Sequence, residues 1–422
     1  MYFFENKCIK CGQCMSVCPV YQATSLESDV ARGKLTMIAM CEKDEFSKIT
    51  KNSLSRCLQC GACTNICANK VDAKDIILNA RSNAKNSIGD KVNKLPVKAF
   101  TGSGVSSRIF RKGGSLLQGL IGKKIPELSG LHLRFPFSYF TDRNKIPSLS
   151  NQFFLGSKSQ KHIKELQKNK KGPVIGFFVG CGSNYLFPET ARALVNIFSQ
   201  LDARLVIPEN QVCCGLPALT SGDIKTARKL AIKNIQAFNQ ELVKYDAIIT
   251  TCASCGSHIK HLPKVFGYDK DSNLWRIKAE KLSKLHMDAT SLLVNMFEFD
   301  NYLSKKHFDQ NIKKVLYHDP CHLRIGQGKT KDTEKIIKSI NCLKWLDSPD
   351  QCCGHGGTFN INHYDLSLKI LDKKIKEIIP QHPDYIVTGC TGCQLQFLDA
   401  SYNYNLNLSV CHPLKLIEKL LT

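Results

Sequence analysis

The 422-residue chain contains no run approaching eighteen consecutive apolar residues, so the sequence offers no membrane-spanning helix. Its opening, MYFFENKCIK, lacks a basic region followed by an apolar stretch and a cleavage site, so no secretory leader is expected. Acidic residues are scarce beside basic ones, 36 against 59, for a formal charge of +23. The basic residues do not gather with aromatics into a groove-like stretch, so nucleic acid is not an expected partner. A dinucleotide fingerprint is missing as well. Gly180-Cys181-Gly182 begins one, but Tyr185 stands where the third glycine belongs. Cysteine, by contrast, is abundant, with 21 in all.

Cysteine-dense disulfide scaffolds are small and secreted, whereas this chain is long enough for about two or three domains with real cores. Metal-bound thiolates in a reducing cytoplasm are therefore expected. The charge of +23 overstates the working value, because cysteinates around a metal are counted as neutral. A basic surface suits peripheral contact with anionic lipid or an acidic partner, and lysine runs also decorate solvated faces.

Eighteen of the cysteines fall into repeated spacings. Cys8, Cys11, Cys14 and Cys18 precede Pro19, and the spacing returns as Cys57, Cys60, Cys63 and Cys67, with Ala68 in place of the proline. This is the bacterial [4Fe–4S] run, in which the fourth cysteine serves the other cluster. Cys8, Cys11, Cys14 and Cys67 are thus expected to hold one cubane, and Cys57, Cys60, Cys63 and Cys18 a second. Two structural zinc sites would need only four ligands each and would leave the three-in-a-row periodicity unexplained.

Further along stand Cys181, Cys213, Cys214, Cys252 and Cys255, echoed by Cys321, Cys352, Cys353, Cys390 and Cys393. Each set reads Cys, Cys-Cys-Gly, Cys-x-x-Cys. Adjacent cysteines diverge too much to serve one small ion easily, but they can flank a larger multi-iron body, with Gly215 and Gly354 relieving the backbone. Cys41, Cys342 and Cys411 are left over and read as apolar residues. His318, Asp319 and His322 surround Cys321, and His355 follows the second Cys-Cys-Gly. These groups either tune or protonate the site, or cap local turns.

The chain divides as 1–90, 91–170, 171–305 and 306–422. In the first part, 38 residues separate Cys18 from Cys57, and a helix is predicted from Asp29 to Cys41 behind a Ser28 cap. An insert of that length favours a helical two-cluster domain. Residues 91–170 show no sustained periodicity and read as an irregular basic linker or docking segment. The remainder is a duplication of apolar runs alternating with amphipathic stretches, which predicts parallel β/α units. VIGFFVG, ARLVIP and AIITT each lead directly to a cysteine group, as do KVLYHDP, CLKWL and YIVTG. Because the carboxyl ends of parallel strands share one edge, five thiolates are expected to converge in one pocket per half.

The two Cys-Cys-Gly sets resemble the cysteine-rich CCG domains of heterodisulfide reductase catalytic subunits and of the glycolate oxidase iron-sulfur subunit. YHDPCHL at Tyr317–Leu323 and CCGHGGTFN at Cys352–Asn360 resemble the latter group. The resemblance covers the whole chain. It implies a multidomain fold, an α-helical ferredoxin domain followed by two repeated α/β, Rossmann-like, parallel-sheet CCG domains. It implies one or two further [4Fe–4S] clusters, non-cubane or cubane, in the CCG domains. It also implies an oxidoreductase subunit without its own flavin. An FAD-binding dehydrogenase partner would oxidise glycolate or D-lactate, and electrons would pass toward quinone or another acceptor. A heterodisulfide reductase-like catalytic subunit and an anaerobic glycerol-3-phosphate dehydrogenase iron-sulfur subunit share the same cysteine plan.

Overall fold

A computed structural model of the protein describes residues 7–41, 46–84 and, with short interruptions, 148–422, together with short pieces between 112 and 146. The first part is helical: Gln13–Val17, Pro19–Thr24, Ala31–Ala39, Lys48–Ser55, Ala62–Asn65 and Ala73–Asn83. Its two cysteine runs repeat in backbone as well as in sequence. Lys10 and Gly12 have φ of 56° and 87°, and Gln59 and Gly61 have 58° and 82°. Left-handed residues so spaced turn successive amide groups toward one concavity, and a short helix follows each. Leu35, Ile38, Leu54, Val71, Ile76 and Ile77 form the core of this part, with Cys8, Cys14, Cys57, Cys63 and Cys67 packed against it.

The helix predicted from Asp29 begins instead at Ala31, because Glu27–Asp29 make a 3₁₀ turn and Ser28 lies inside it. Burial of a charge explains the difference. Asp29 is 1% exposed, with Oδ1 3.7 Å from Lys34 Nζ and Oδ2 3.1 Å from Arg56 Nη1. Lys34 Nζ also donates to the Ser28 carbonyl at 3.0 Å, which fixes the turn from within.

Of the segment 91–170, three short strands are described up to residue 147: β1 (Gly122–Lys124), β2 (Leu131–Leu133) and β3 (Lys145–Ile146) pair antiparallel. Most of its expected irregular course lies outside the described residues. Its end packs on the first half, where Phe154 is fully buried and the Ser150 amide donates to the Tyr185 carbonyl at 2.8 Å.

The duplication appears as two four-stranded sheets of identical topology. The first comprises β4 (Val174–Phe178), β5 (Arg204–Val206), β6 (Ala247–Thr250) and β7 (His286–Asp288), in the order β5-β4-β6-β7. The second comprises β8 (Lys313–Tyr317), β9 (Leu343–Leu346), β10 (Tyr385–Val387) and β11 (Ser409–Cys411), in the order β9-β8-β10-β11. All pairings within both sheets are parallel, with Ile175 opposite Leu205 and Ala247, and Leu316 opposite Leu346 and Ile386. The central β4 and β6 are buried at every position, as strands covered on both faces must be. The architecture is thus multidomain, a helical part followed by two repeated parallel α/β units. One apolar cluster joins Phe177, Phe198 and Leu292 of the first unit to Val315, Ile336 and Leu414 of the second. Among the described residues no helix is long and apolar enough to cross a membrane.

Helix Ala31–Ala39 carries a glycine whose replacement tests this packing. Alanine ordinarily favours a helix interior over glycine by about 1 kcal/mol. A Cβ at Gly33, however, would lie 2.0 Å from the Glu27 carbonyl oxygen. Gly33→Ala is therefore expected to lower stability by about 1–3 kcal/mol, as overpacking does. Denaturant midpoints of the anaerobic protein check it, and a raised midpoint refutes it.

Candidate metal centres

The first cysteine run curls around a small cavity of about 40 Å³ lined by Cys8, Cys11 and Cys14, with Cys63 and Cys67 reaching it from the second run. Cys11 is exposed, so this cavity stands at the surface. Cys18 lies apart from its own run, where Cys57 adds its charge to a thiol that burial already pushes up to about 11. Cys63 lies between the two groups. Burial pushes it up to about 12, reinforced by Cys57, Cys18 and Cys14. The fourth cysteine of each run thus sits beside the first three of the other.

Three of the four strands in each sheet deliver cysteines to the carboxyl edge. Cys181 follows β4, Cys213 and Cys214 follow β5, and Cys252 and Cys255 follow β6; Cys321, Cys352–Cys353 and Cys390–Cys393 follow β8, β9 and β10. Gly215 and Gly354, with φ of 102° and 88°, reverse the chain behind the paired cysteines. A side chain at Gly354 would press its Cβ to 2.7 Å from the Ser367 carbonyl.

Two separate pockets were expected, one per half. The structure instead opens both sets onto a single cavity of about 190 Å³, lined by Cys181, Cys214, Cys252 and Cys255 and by all five cysteines of the second set. Cys213 stands beside Cys181, sulfur to sulfur at 3.8 Å. The two halves meet edge to edge. The Ala253 amide donates to the Gly389 carbonyl at 2.8 Å, and His412 Nε2 bonds the Thr251 carbonyl at 2.7 Å. A Cβ at Gly326 would lie 2.3 Å from Ser257 Oγ, and one at Gly182 would lie 2.0 Å from Thr391 Oγ1.

The result is an unbroken succession of sulfur atoms. Cys181, Cys213, Cys214, Cys255 and Cys252 each lie within electrostatic reach of the next, and Cys252 lies within reach of Cys390 across the seam. From there the row continues through Cys393, Cys353 and Cys352 to Cys321. The Cys353 and Cys393 sulfurs are 3.2 Å apart, yet all 21 cysteines are free. Cys321 and Cys352 lie within electrostatic reach of Cys60, which joins the row to the N-terminal part. Cys18 and Cys60 pack with Cys352 around Val20, Leu58 and Phe359.

Such crowding of soft donors without sulfur–sulfur bonds fits iron–sulfur clusters by the chemistry of the donor set. Burial and like neighbours push most of these thiols up. Cys214 is instead drawn down to about 6 by hydrogen bonds from Cys213 and Cys255, and Cys352 is drawn down by Cys321 and Cys353. Cations with buried or half-buried side chains lie among the cysteines. Lys34 and Arg81 lie near Cys57, and Lys374 lies near Cys353, Cys352 and Cys393.

These three cations were missed in the sequence, although one signal was there. Lys374 falls on the buried stripe of helix Tyr364–Ile378 with Leu371, Ile375 and Ile378, where an apolar residue belongs. The histidines divide. His322 Nδ1 meets Ser254 Oγ at 2.7 Å, and His355 Nδ1 accepts the Gly357 amide at 3.1 Å. His318 is 1% exposed and neither ring nitrogen has a hydrogen-bond partner, while Cys353 and Cys393 offer sulfurs within 4.8 Å. Asp319 is pushed up to about 7 by burial. Of the leftover cysteines, Cys342 is buried, whereas Cys41 and Cys411 are half-buried.

The family profile of the 4Fe-4S dicluster domain matches residues 5–71, and that of the cysteine-rich CCG domain matches 175–260 and again 315–398. The chain belongs to the glycolate oxidase iron-sulfur subunit family, in which a dicluster domain precedes two CCG domains. It is 29% identical to the probable glycolate oxidase iron-sulfur subunit of Bacillus subtilis (strain 168) over 415 positions, covering 92% of this chain and 87% of that one. Lactate utilization protein A 2 of Bacillus cereus (strain Q1) is 30% identical over 247 positions, 58% of this chain and 98% of that protein. A subunit of the CoM/CoB fumarate reductase of Methanothermobacter marburgensis is 26% identical over 422 positions, 97% and 71% of the two chains. This is therefore an iron–sulfur protein of an oxidoreductase subunit family.

Two histidines of the first CCG domain and its seam set an acid limit. Burial draws His258 down to about 3 and His412 to about 4, from an ordinary 6.5. Unfolding frees imidazoles that take up protons below about 6.5, so stability is full above that pH and falls as pH drops toward 4. The two together contribute up to about 2.7 kcal/mol per pH unit. Urea midpoints at pH 7.5 and 5 check the slope, and equal midpoints contradict it.

Proposed function

We propose that this chain is the electron-transfer subunit of a flavin-dependent 2-hydroxy acid dehydrogenase of the glycolate or D-lactate type. It relays electrons from an FAD-binding partner toward quinone or another acceptor, at the cytoplasmic side and in peripheral contact with the membrane. The observation that carries this reading is the succession of thiols from exposed Cys11 inward through Cys60 to the CCG cavity. The names of the Bacillus relatives point to the hydroxy acid.

In this reading residues 1–90 form the two-cluster domain, 91–170 the connecting or docking segment, 171–305 the first CCG domain and 306–422 the second. Cys8, Cys11, Cys14 and Cys67 hold one cubane. Cys57, Cys60, Cys63 and Cys18 hold the next. Cys181, Cys213, Cys214, Cys252 and Cys255 hold a third four-iron centre, and Cys321, Cys352, Cys353, Cys390 and Cys393 a fourth. Bound clusters supply one-electron carriers whose potentials the protein sets through charge, hydrogen bonds and exposure. The chain's own residues do the rest. The glycines let the loops close on the sulfurs, and the packing of Leu58 and Phe359 around Cys60 and Cys352 keeps water from the junction.

A second reading has its own observation. Nine of the ten cysteines of the two sets line one cavity, and one relative is named as part of a CoM/CoB fumarate reductase. That arrangement suits a catalytic subunit that cleaves a disulfide between its two halves. Hydroxy acid-dependent dye reduction by the co-purified complex supports the first reading, and disulfide-dependent oxidation of the reduced chain alone supports the second.

Iron content and spectroscopy test the ligand sets. Anaerobically purified full-length protein is expected to carry about sixteen irons per chain, four for each of four centres. Cys67→Ser and Cys8→Ser should abolish the same EPR signal and remove about four irons. Cys18→Ser should instead share its loss with Cys60→Ser. If Cys67→Ser and Cys60→Ser remove the same signal, the crossed assignment is wrong.

A further inference from the structure

The two CCG domains match in fold but not in charge. Helices Ile224–Phe238 and Tyr364–Ile378 occupy the same place in the repeat and are each 15 residues long. The eleventh residue of each is buried and holds the loop entering the paired cysteines. In the first domain it is Asn234, whose Oδ1 accepts the Val212 amide at 2.8 Å and whose Nδ2 donates to the Cys213 carbonyl at 2.9 Å. In the second it is Lys374, fully buried, whose Nζ donates to the carbonyls of Pro349 at 2.6 Å and Gln351 at 3.2 Å. The same structural task is done once by a neutral amide and once by a cation.

Lys374 makes no ion pair among the described residues: Asp350 is engaged by Arg324 at 2.8 Å, and Asp319 feels the lysine only at longer electrostatic range. Its ammonium, held by two carbonyls, lies within electrostatic reach of Cys353, Cys352 and Cys393. The buried Lys34 and the half-buried Arg81 lie near Cys57 instead.

A second difference points the same way. Three residues before the first cysteine of each set, the first domain has Phe178 and the second has His318. Both are buried, but the imidazole carries an unmet N–H within reach of Cys353 and Cys393. A nearby cation and an N–H dipole close to the sulfurs each favour the more negative, reduced state of a cluster.

We infer that the duplication is electrically asymmetric: Lys374 and His318 make the second CCG centre the more easily reduced of the two, so an electron entering beside Cys60 resides there. Both act as positioning residues, through the field they set at the sulfurs. The inference rests on the reading that each CCG domain holds an iron–sulfur centre.

An EPR-monitored redox titration of the anaerobic full-length protein tests it. In the native protein the two CCG centres are expected to titrate apart. Lys374→Asn should lower the reduced-to-oxidised ratio of the easier centre about tenfold at a fixed solution potential, a shift of about 59 mV for one electron. His318→Phe should move the same centre in the same direction by less. Asn234→Lys should move the harder centre about tenfold the other way.

At full iron loading, an unmoved easier centre in Lys374→Asn overturns the inference, as does a shift of the harder one. If Lys374→Asn loses iron, Asn234→Lys decides: a raised ratio at the harder centre supports the inference and an unchanged one overturns it. Native protein with no iron beyond the N-terminal two clusters overturns the underlying reading, and the inference with it.

Discussion

Everything in this molecule follows from packing thiols closely in a poorly hydrated interior while leaving them unjoined. Sulfurs 3.2–3.8 Å apart repel one another once ionised and lose their hydration when buried. Only a soft multivalent cation body, or a supply of counter-charge, makes such a row tolerable. The structure supplies the second in part, through Lys34, Arg81 and Lys374 set behind the sulfurs. Those cations need partners of their own. Arg81 directs its guanidinium to the carbonyls of Leu54, Ser55, Cys57 and Thr220, and so ties the dicluster domain to the first CCG domain.

The remaining architecture serves that crowding. Parallel strands bring their carboxyl ends to one edge, glycines with left-handed backbone turn the loops sharply there, and the two edges face each other. Where the domains meet, the spacing is set by missing side chains: Gly256 lies against Gln327 and Gly326 against Ser257. Apolar clusters that run through both domains then hold the faces together.

Much of this could be read from the sequence because cysteine spacing and strand periodicity are local signals. The order of strands and helices and the placing of each cysteine group after a strand both follow from such signals. What escaped was non-local or too short. The fourth strands, His286–Asp288 and Ser409–Cys411, are three residues long, below the length at which alternation can be recognised. Merging of the two expected pockets into one depends on contacts between halves more than a hundred residues apart, such as Ser254 with Cys390 at 3.2 Å. Ser28 reads as a cap, but the burial of Asp29 against Lys34 and Arg56 moved the helix start by two residues.

Joining both units in one chain has a consequence for their histories. Two identical subunits around a two-fold axis must carry the same side chain at equivalent places, so any change is made twice. Fusion removes that obligation. In the fused chain, Asn234 in one unit and Lys374 in the other are free to differ, and equivalent places carry different charge.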